Sequence, residues 1–207
     1  DHGAVISQNS WSYVDAPSMP SYCAEAIDYF IKYAGMDKSG KNQLGPMAGG
    51  VVIFAAGNDN TNISYPGAYA PVIAVSSIGA DYQRAYYSNF GDWCDIIAPG
   101  GDAMKDYNVL STLPGGKYGY MQGTSMACPH VSGVAALIVS NMGGPGFTNK
   151  RLEELLITTV NTEVLEYNTL PLGAGLVSAT NAIAYNKPVE HVIEPEGSSN
   201  LNMKASQ

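Results

Sequence analysis

One serine stands at the start of a long, nearly uncharged segment, and this position suits it to covalent chemistry. The segment is Gly123–Leu137, with the sequence GTSMACPHVSGVAAL. Apolar side chains recur at i, i+3, i+4 and i+7 from Val131 to Ile138, which predicts a helix that is buried on most sides. Ser125 then lies at the helix N-terminus, where a backbone N–H and the helix dipole can stabilise the negative charge that develops in acyl transfer.

A second polar residue follows an apolar segment and suits the same chemistry. The residues from Ala55 to Asp59 read A-A-G-N-D. The side-chain amide of Asn58 can donate a hydrogen bond to an oxyanion. Taken alone, an asparagine after a strand more often belongs to a turn, and Thr124 or Ser125 would serve simply as a helix cap.

Both segments resemble motifs of the subtilisin-like serine proteases, the subtilases. Gly123–Leu137 matches the family's nucleophile motif residue by residue, and Ala55–Asn58 matches its A-A-G-N. A match of this length favours a nucleophile over a helix cap. Three further segments match the family patterns Y-P-A-x-Y-x-x-V-I-A-V, S-N-Y-G and V-D-V-x-A-P-G, namely Tyr65–Val75, Ser88–Gly91 and Asp95–Gly100.

The resemblance runs from about Gly3 to Ala184 and implies the C-terminal portion of a subtilisin-like peptidase domain over residues 1–185, followed by a polar linker or tail over 186–207. It implies the C-terminal part of a three-layer α/β fold, in which helices flank a parallel sheet. About four parallel strands, a hairpin and the nucleophile helix are expected. The strand and hairpin segments are Gly3–Ser7, Gly50–Ala55, the end of Tyr65–Val75 after a cleft-wall turn, Asp95–Gly100, Val109–Leu113 and Lys117–Gln122.

Three other helices are predicted from local patterns. Pro20 and Ser21 open a helix that runs to about Ala34, where Gly35 stops it. A second helix follows the capping residue Thr148 and carries its leucines on one face. A last short helix follows a glycine-rich turn near residue 179.

The composition agrees with such a domain and excludes other classes. With 45% hydrophobic and 14% charged residues, the 207-residue chain can build a core and is not a disordered polymer. The net charge of −8 disfavours nucleic acid and anionic membrane as partners. No apolar run approaches the ~20 residues that span a bilayer. The cysteines Cys23, Cys94 and Cys128 lack C-x-x-C spacing and fix no disulfide or metal site, and Cys128 is interpreted as a small buried residue.

The resemblance implies a serine endopeptidase that cleaves polypeptides through an acyl-enzyme. Ser125 would attack the scissile carbonyl, while Asn58 and the Ser125 N–H would bind the oxyanion. The primary pocket, with Ser64 near its floor and Asp59 at its rim, would accept large apolar side chains and tolerate Lys or Arg. Ser12 replaces a family glycine, which would narrow the outer subsites. The residues expected to bind substrate are Gln8, Asn9, Ser10, Trp11, Ser12, Ala55, Ala56, Gly57, Asp59 and Ser64.

The resemblance carries three further implications. No cofactor is required, and calcium is expected only as a structural ion, held by a weak site of backbone carbonyls near Gly67, Tyr69 and Val72. The peptide bond between Tyr65 and Pro66 should be cis. The protein should be secreted, periplasmic or at the cell surface.

The base and the orienting acid of a serine protease are not found in this sequence. In subtilases they come before the serine, in a D-T/S-G strand end and an H-G-T-H-V-A-G motif, and neither occurs here. His2 precedes a strand rather than opening a helix, His130 lies inside the nucleophile motif, and His191 lies in the polar tail. The resemblance therefore implies that an upstream segment of the same precursor supplies both groups.

Two expectations follow from this gap. The chain alone should be inactive. It should also self-associate, because the strand that would pair with Ala4–Ser7 is missing and one flank of the Ser125 helix is uncovered. Two alternatives to an intact enzyme stay open, namely a non-catalytic peptide-binding module and one chain of a nicked two-chain protease.

Overall fold

A computed structural model describes residues 3–14 and 16–185 of the chain. Four parallel strands form one sheet in the order β1-β2-β3-β4, and two antiparallel strands form a separate hairpin. The strands are β1 (Ile6–Asn9), β2 (Val51–Ala55), β3 (Ile73–Ile78), β4 (Ile96–Pro99), β5 (Val109–Leu113) and β6 (Lys117–Met121). The α-helices are α1 (Ser21–Tyr33), α2 (Thr124–Met142), α3 (Asn149–Thr158) and α4 (Ala179–Ala184).

The sheet is the middle of three layers, because its alternate side chains feed two separate cores. Ile53 and Ala55 of β2 pack with α2 and α3 in the larger core. Val52 and Phe54 point to the other face and pack with Ile27 of α1. The predicted three-layer α/β fold, with its parallel sheet, hairpin and nucleophile helix, is confirmed.

The nucleophile helix α2 is buried along one stripe and open along another. Val131 and Ile138 on the predicted stripe are completely buried. On the opposite side, Gly133 is exposed and Leu137 has 47% of its surface accessible. The prediction of burial on most sides is therefore wrong for this face, which no described element covers.

The first strand differs from its predicted range, Gly3–Ser7. It runs from Ile6 to Asn9, and Ala4 before it is exposed. A parallel ladder forms only where its partner strand is present, and Ile6 pairs with Val51, the first residue of β2. The strand thus begins and ends later than the apolar run that suggested it.

Most other local predictions agree with the structure. Thr148 caps α3 by accepting a hydrogen bond from the Arg151 N–H at 3.2 Å, and the leucines Leu152, Leu155 and Leu156 are buried. The Tyr65–Pro66 bond is cis. In the part of the chain described here, no helix has both the length and the apolar character of a membrane span.

Asp95, immediately before β4, provides a test of how the fold responds to pH. The side chain is half-buried, and its Oδ2 accepts a hydrogen bond from the Ala74 N–H at 2.7 Å. Burial raises the pKa of the Asp95 carboxyl from 3.8 to about 6, and the charge of Glu153 on α3 acts in the same direction. The folded state therefore favours the protonated acid, and its stability falls as the pH rises from about 4 through 6.

Replacing Asp95 with asparagine should stabilise the protein at neutral pH. The amide keeps an acceptor for the Ala74 N–H but carries no charge, so we expect a gain of roughly 2 kcal/mol at pH 7.5. The gain should vanish at pH 4, where the acid is protonated. Urea unfolding at both pH values measures this difference.

Asp37 supplies a control of opposite sign. Hydrogen bonds from Ser39 and Asn42 hold the pKa of the Asp37 carboxyl below its usual range. Asp37→Asn should therefore lower stability at neutral pH and lose this effect in acid. Equal pH responses of the Asp95 and Asp37 variants would contradict the assignment of the two shifts.

Candidate active site

Ser125 lies at the carboxyl edge of the sheet, as the second residue of α2. The residue before the helix, Gly123, has φ +146°, and its N–H donates to the carbonyl of Gly100 at 2.9 Å. That bond joins the start of α2 to the loop that follows β4. The half-buried Ser125 side chain therefore projects where parallel sheets usually bind ligands, beyond the carboxyl ends of their strands.

Pro129 leaves the backbone carbonyl of Ser125 free for a tertiary contact. It lies within α2 and has no N–H to donate to the carbonyl four residues earlier. Ser10, just after β1, takes that place, because its Oγ donates to the Ser125 carbonyl at 2.8 Å. In return, the Ser125 hydroxyl lies 3.4 Å from the Ser10 carbonyl. A carbonyl accepts a hydrogen bond but does not remove a proton, so this contact positions Ser125 without activating it.

The Asn58 side chain is held in one orientation by Thr124. The backbone N–H and the hydroxyl of Thr124 both donate to Asn58 Oδ1, each at 2.9 Å. The Gly57 N–H donates to the same hydroxyl at 3.1 Å, which fixes the direction of the Thr124 proton. The amide oxygen of Asn58 is thus engaged. The residue is exposed, and its Nδ2 makes no hydrogen bond among the described residues. This donor is available to an oxygen atom of a ligand.

The two predicted walls of the substrate cleft leave the sheet side by side. Gln8 and Asn9 of β1 pair in register with Ile53 and Phe54 of β2, so the residues after each strand emerge as neighbours. The Asn9 amide turns back into the sheet and donates to the Ile53 carbonyl at 3.3 Å. Its side chain therefore has a structural contact, and only its backbone is left for a cleft.

Trp11 forms the open part of the first wall. It has 44% of its surface accessible, and its ring meets Phe54 edge-on, with centroids 5.1 Å apart. Ser12 beside it is half-buried. This wall therefore presents an aromatic surface to the solvent close to Ser10, which contacts the Ser125 carbonyl.

The second wall places the predicted pocket residues at different depths. Ala55, Ala56 and Gly57 are buried, and Asp59 is exposed. Ser64 is almost completely buried, and a Cβ added to Gly57 would come within 3.1 Å of its Oγ. Ser64 thus lies against Gly57 from inside, and Asp59 is exposed next to Asn58 in the chain, and their roles as pocket floor and rim stay predictions.

No base contacts Ser125 within the described residues. His130 lies on α2, where one of its ring nitrogens, Nδ1, lies 2.8 Å from the Met126 carbonyl and must donate to it. That bond ties the ring to its own helix. His2 and His191, together with the predicted tail 186–207, lie outside the described residues.

The predicted cation site consists only of carbonyl groups near a turn. Oxygen ligands of this kind suit a hard cation such as calcium. The Tyr69 carbonyl already accepts a hydrogen bond from the Val72 N–H at 3.0 Å, which leaves one lone pair for an ion. The described residues contain no cluster of acidic, histidine or cysteine side chains that would strengthen the site. The donor set fits a weakly bound structural ion.

The three cysteines are free thiols, and two of them are buried. Burial raises the pKa of Cys94 to about 12 and also raises that of Cys128. Cys128 lies one helical turn after Ser125 and is completely buried. Its interpretation as a small core residue is confirmed, and thiols of this kind are inert.

Two residues of this site were not recognised as such from the sequence. The sequence predicts Thr124 only as a candidate helix cap, yet its hydroxyl donates to Asn58, 66 positions earlier in the chain. In the sequence, Asn89 is only part of the matching S-N-F-G segment, yet its side chain bonds to backbone groups on both sides of Asn58. The sequence signals were present as residue types, but the contacts that define their roles are long-range.

A serine at a helix N-terminus, presented beside a fixed amide at the carboxyl edge of a parallel sheet, places the chain in the class of subtilisin-like α/β folds. The sequence identifies the family as well. The profile of the subtilase family matches residues 1–184, and the chain belongs to that family.

Relatives of known name share parts of this chain. Subtilisin NAT of Bacillus subtilis subsp. natto is 39% identical over 140 residues, which are 65% of this chain and 34% of the relative. The thermophilic serine proteinase of Bacillus sp. (strain AK1) is 45% identical over 93 residues, or 44% of this chain and 22% of the relative. The chain thus spans about a third or less of the length of these curated relatives.

A solved structure supports the same fold. A protease from Pseudoalteromonas arctica PAMC 21717 superposes with a TM-score of 0.67 and 35% identity, over 87% of this chain and 51% of that one. The structure of the prenylagaramide maturation protease PagA gives a TM-score of 0.66 at 24% identity, and this likeness concerns the fold alone.

Proposed function

We propose that the protein carrying this chain is a serine endopeptidase that cleaves polypeptides through an acyl-enzyme at Ser125. One observation carries the proposal. Thr124 holds the oxygen of the Asn58 amide with two hydrogen bonds of 2.9 Å, which leaves the Nδ2 donor of that amide for an oxyanion near Ser125. Membership of the subtilase family and the proteinase names of the relatives support the same reaction.

In the proposed reaction, the Ser125 Oγ attacks the scissile carbonyl and forms an ester with the acyl part of the substrate. The Asn58 Nδ2 and the Ser125 N–H bind the oxyanion of the tetrahedral intermediate. The amine leaves with a proton, and water then hydrolyses the ester. A histidine must carry these protons and an aspartate must orient it. We propose that both come from a segment of the same protein outside residues 1–207.

The proposed cleft binds the substrate backbone between Gln8–Ser12 and Ala55–Gly57. The primary pocket, with Ser64 at its floor, would prefer large apolar side chains, because its walls are alanine and backbone. Asp59 adds tolerance for Lys or Arg, but the effect is modest because an exposed ion pair contributes little.

Two further proposals rest on family membership. The protein acts outside the cytoplasm, as a secreted, periplasmic or cell-surface enzyme. No cofactor takes part in the reaction, and the carbonyl site near Gly67, Tyr69 and Val72 binds calcium weakly for stability.

Fluorophosphonate labelling of the full-length protein tests the proposed reaction. We expect covalent modification at Ser125, together with hydrolysis of an unfolded polypeptide, because the probe reacts only with an activated serine. Ser125→Ala should abolish both. Ser132→Ala is the matched control, since that serine lies on the same helix and its hydroxyl bonds to the Cys128 carbonyl. Peptide binding without labelling or cleavage would sink the proposal and favour a non-catalytic peptide-binding module.

A further inference from the structure

Asn89 is completely buried, and its side chain makes three hydrogen bonds to one loop. Its Nδ2 donates to the Ala56 carbonyl at 2.9 Å. Its Oδ1 accepts from the Asp59 N–H at 2.9 Å and from the Thr61 N–H at 3.0 Å. These three partners lie on both sides of Asn58. The amide of Asn89 therefore fixes the backbone from which the Asn58 side chain projects.

The backbone around Asn89 follows the same loop. The Asn89 N–H donates to the Gly57 carbonyl at 3.0 Å, and the Phe90 N–H donates to the Thr61 carbonyl at 3.1 Å. The approach is close, because a Cβ added to Gly57 would lie 2.3 Å from Asn89 Nδ2. Gly57 also has φ +101°, a conformation that other residues rarely adopt.

The segment that carries Asn89 is itself attached to the sheet. The Ser77 N–H of β3 donates to Ser88 Oγ at 3.0 Å. The Ala85 N–H donates to the Ser77 carbonyl at 3.0 Å. Asn89 is therefore held by the buried strand β3, and it in turn holds the surface loop that carries Asn58.

We propose that Asn89 is a positioning residue that holds the Asn58 amide where an oxyanion forms. Asn89 fixes the backbone of the loop, and Thr124 fixes the side-chain amide that projects from it. This proposal rests on the proposed function and deepens it. Asn89 is buried beneath the loop and does not contact the substrate, so it acts through Asn58.

The expected kinetic signature is a loss in kcat with little change in KM. The oxyanion forms only as the carbonyl is attacked, so a displaced Asn58 amide weakens the transition state more than the bound substrate. Small displacements of such groups are costly, and we expect Asn89→Ala to lower kcat by about 10–100-fold in the full-length protein. KM should change by less than about 3-fold.

Asn168 provides a matched control, because its side chain makes no hydrogen bond to Ser125 or to the loop of Asn58. Its side chain also makes three hydrogen bonds to backbone groups, those of Tyr82, Val164 and Arg84, at 2.8, 2.8 and 2.7 Å. Asn168→Ala removes a comparable number of bonds without touching the loop of Asn58. It should leave kcat unchanged. An equal loss in both variants would overturn the proposal, because it would mean that kcat reports general stability.

A double variant separates positioning from a merely structural role. If Asn89 acts through Asn58, then Asn89→Ala should have no further effect on kcat in an Asn58→Ala background. A full additional loss in that background would overturn the proposal. If Asn89→Ala does not fold, Asn89→Asp can replace it in the same double-variant test. This variant keeps an acceptor for the Asp59 and Thr61 amides but loses the donor to the Ala56 carbonyl. Its loss in kcat should be smaller, and it should also vanish when Asn58 is absent.

Amide hydrogen exchange gives a readout that needs no activity. In the wild-type protein, the Asp59 and Thr61 amides should be protected, and Asn89→Ala should speed their exchange by at least about 10-fold. Asn168→Ala should not. Unchanged exchange in Asn89→Ala would overturn the proposal. A protein that shows this exchange pattern but neither labels at Ser125 nor cleaves peptides would sink the proposed function while retaining the link between Asn89 and the loop.

Discussion

Asn58→Ala in the full-length protein is expected to lower kcat for peptide hydrolysis by about 10²–10³-fold. This magnitude is the one measured when the oxyanion asparagine of a subtilisin is removed, and it is carried over from that enzyme. The physical reason lies in the contacts of this chain. Thr124 engages the amide oxygen of Asn58 at 2.9 Å, so that the nitrogen is the atom left for the substrate. KM should stay within a few-fold, because the neutral carbonyl of the bound substrate gains little from the donor.

Asn62→Ala is the control for this experiment. Asn62 lies on the same loop and is exposed, but its contact with Trp93 is made by its backbone carbonyl rather than its side chain. We expect its kinetic constants to match those of the wild type. Steady-state kinetics with a peptide anilide measures both variants. A rise in KM at constant kcat in Asn58→Ala would show that Asn58 binds the substrate uniformly and does not stabilise an oxyanion.

The isolated 207-residue chain is expected to show no reaction of Ser125 with a fluorophosphonate. Its hydroxyl lies against the Ser10 carbonyl, at 3.4 Å, and no described histidine contacts it. The loss should be on the order of 10⁶, which is the cost in kcat measured when a subtilisin loses its catalytic histidine. Mass spectrometry of the labelled chain, beside the full-length protein, provides the measurement.

Adding back a polypeptide with the family's aspartate and histidine motifs is the positive control. Labelling should then appear at Ser125, since the proton acceptor is supplied in trans. Rapid labelling of the isolated chain at neutral pH would contradict the prediction, because it would require a base within residues 1–207.

Sedimentation of the same sample tests the expected self-association, which a clean monomer at micromolar concentration would exclude.

Much of the fold was predictable because its signals are local. The leucine spacing of α3 and its cap at Thr148 lie within about ten residues of each other, and both are confirmed. The range of β1 was wrong because the ends of a parallel strand depend on its partner, and Ile6 pairs with a residue 45 positions later. The open face of α2 is not predictable for the same reason, since composition alone does not tell which face of an apolar helix is covered.

The candidate site shows the same difference between residues marked by local sequence signals and residues defined by long-range contacts. Ser125 and Asn58 belong to contiguous motifs that a reader can find in the sequence. Thr124 and Asn89 owe their roles to hydrogen bonds that cross from one segment to another, between 28 and 67 positions apart. No periodicity or spacing marks such contacts, because they exist only once the sheet has brought the segments together.

The two edge strands of the sheet differ in how well their outer backbone groups are hydrogen-bonded, so the two edges should differ in local stability. Beyond β4, the Ile97 N–H and carbonyl bond to Gly175 and Val177, at 2.9 Å each. Beyond β1, the described part of the chain places no strand. Fraying should therefore begin at β1, and Ser10 at its end would carry the backbone anchor of Ser125 with it. A segment that paired with β1 would complete the sheet. It would also reduce the motion of Ser10, and through Ser10 the motion of Ser125.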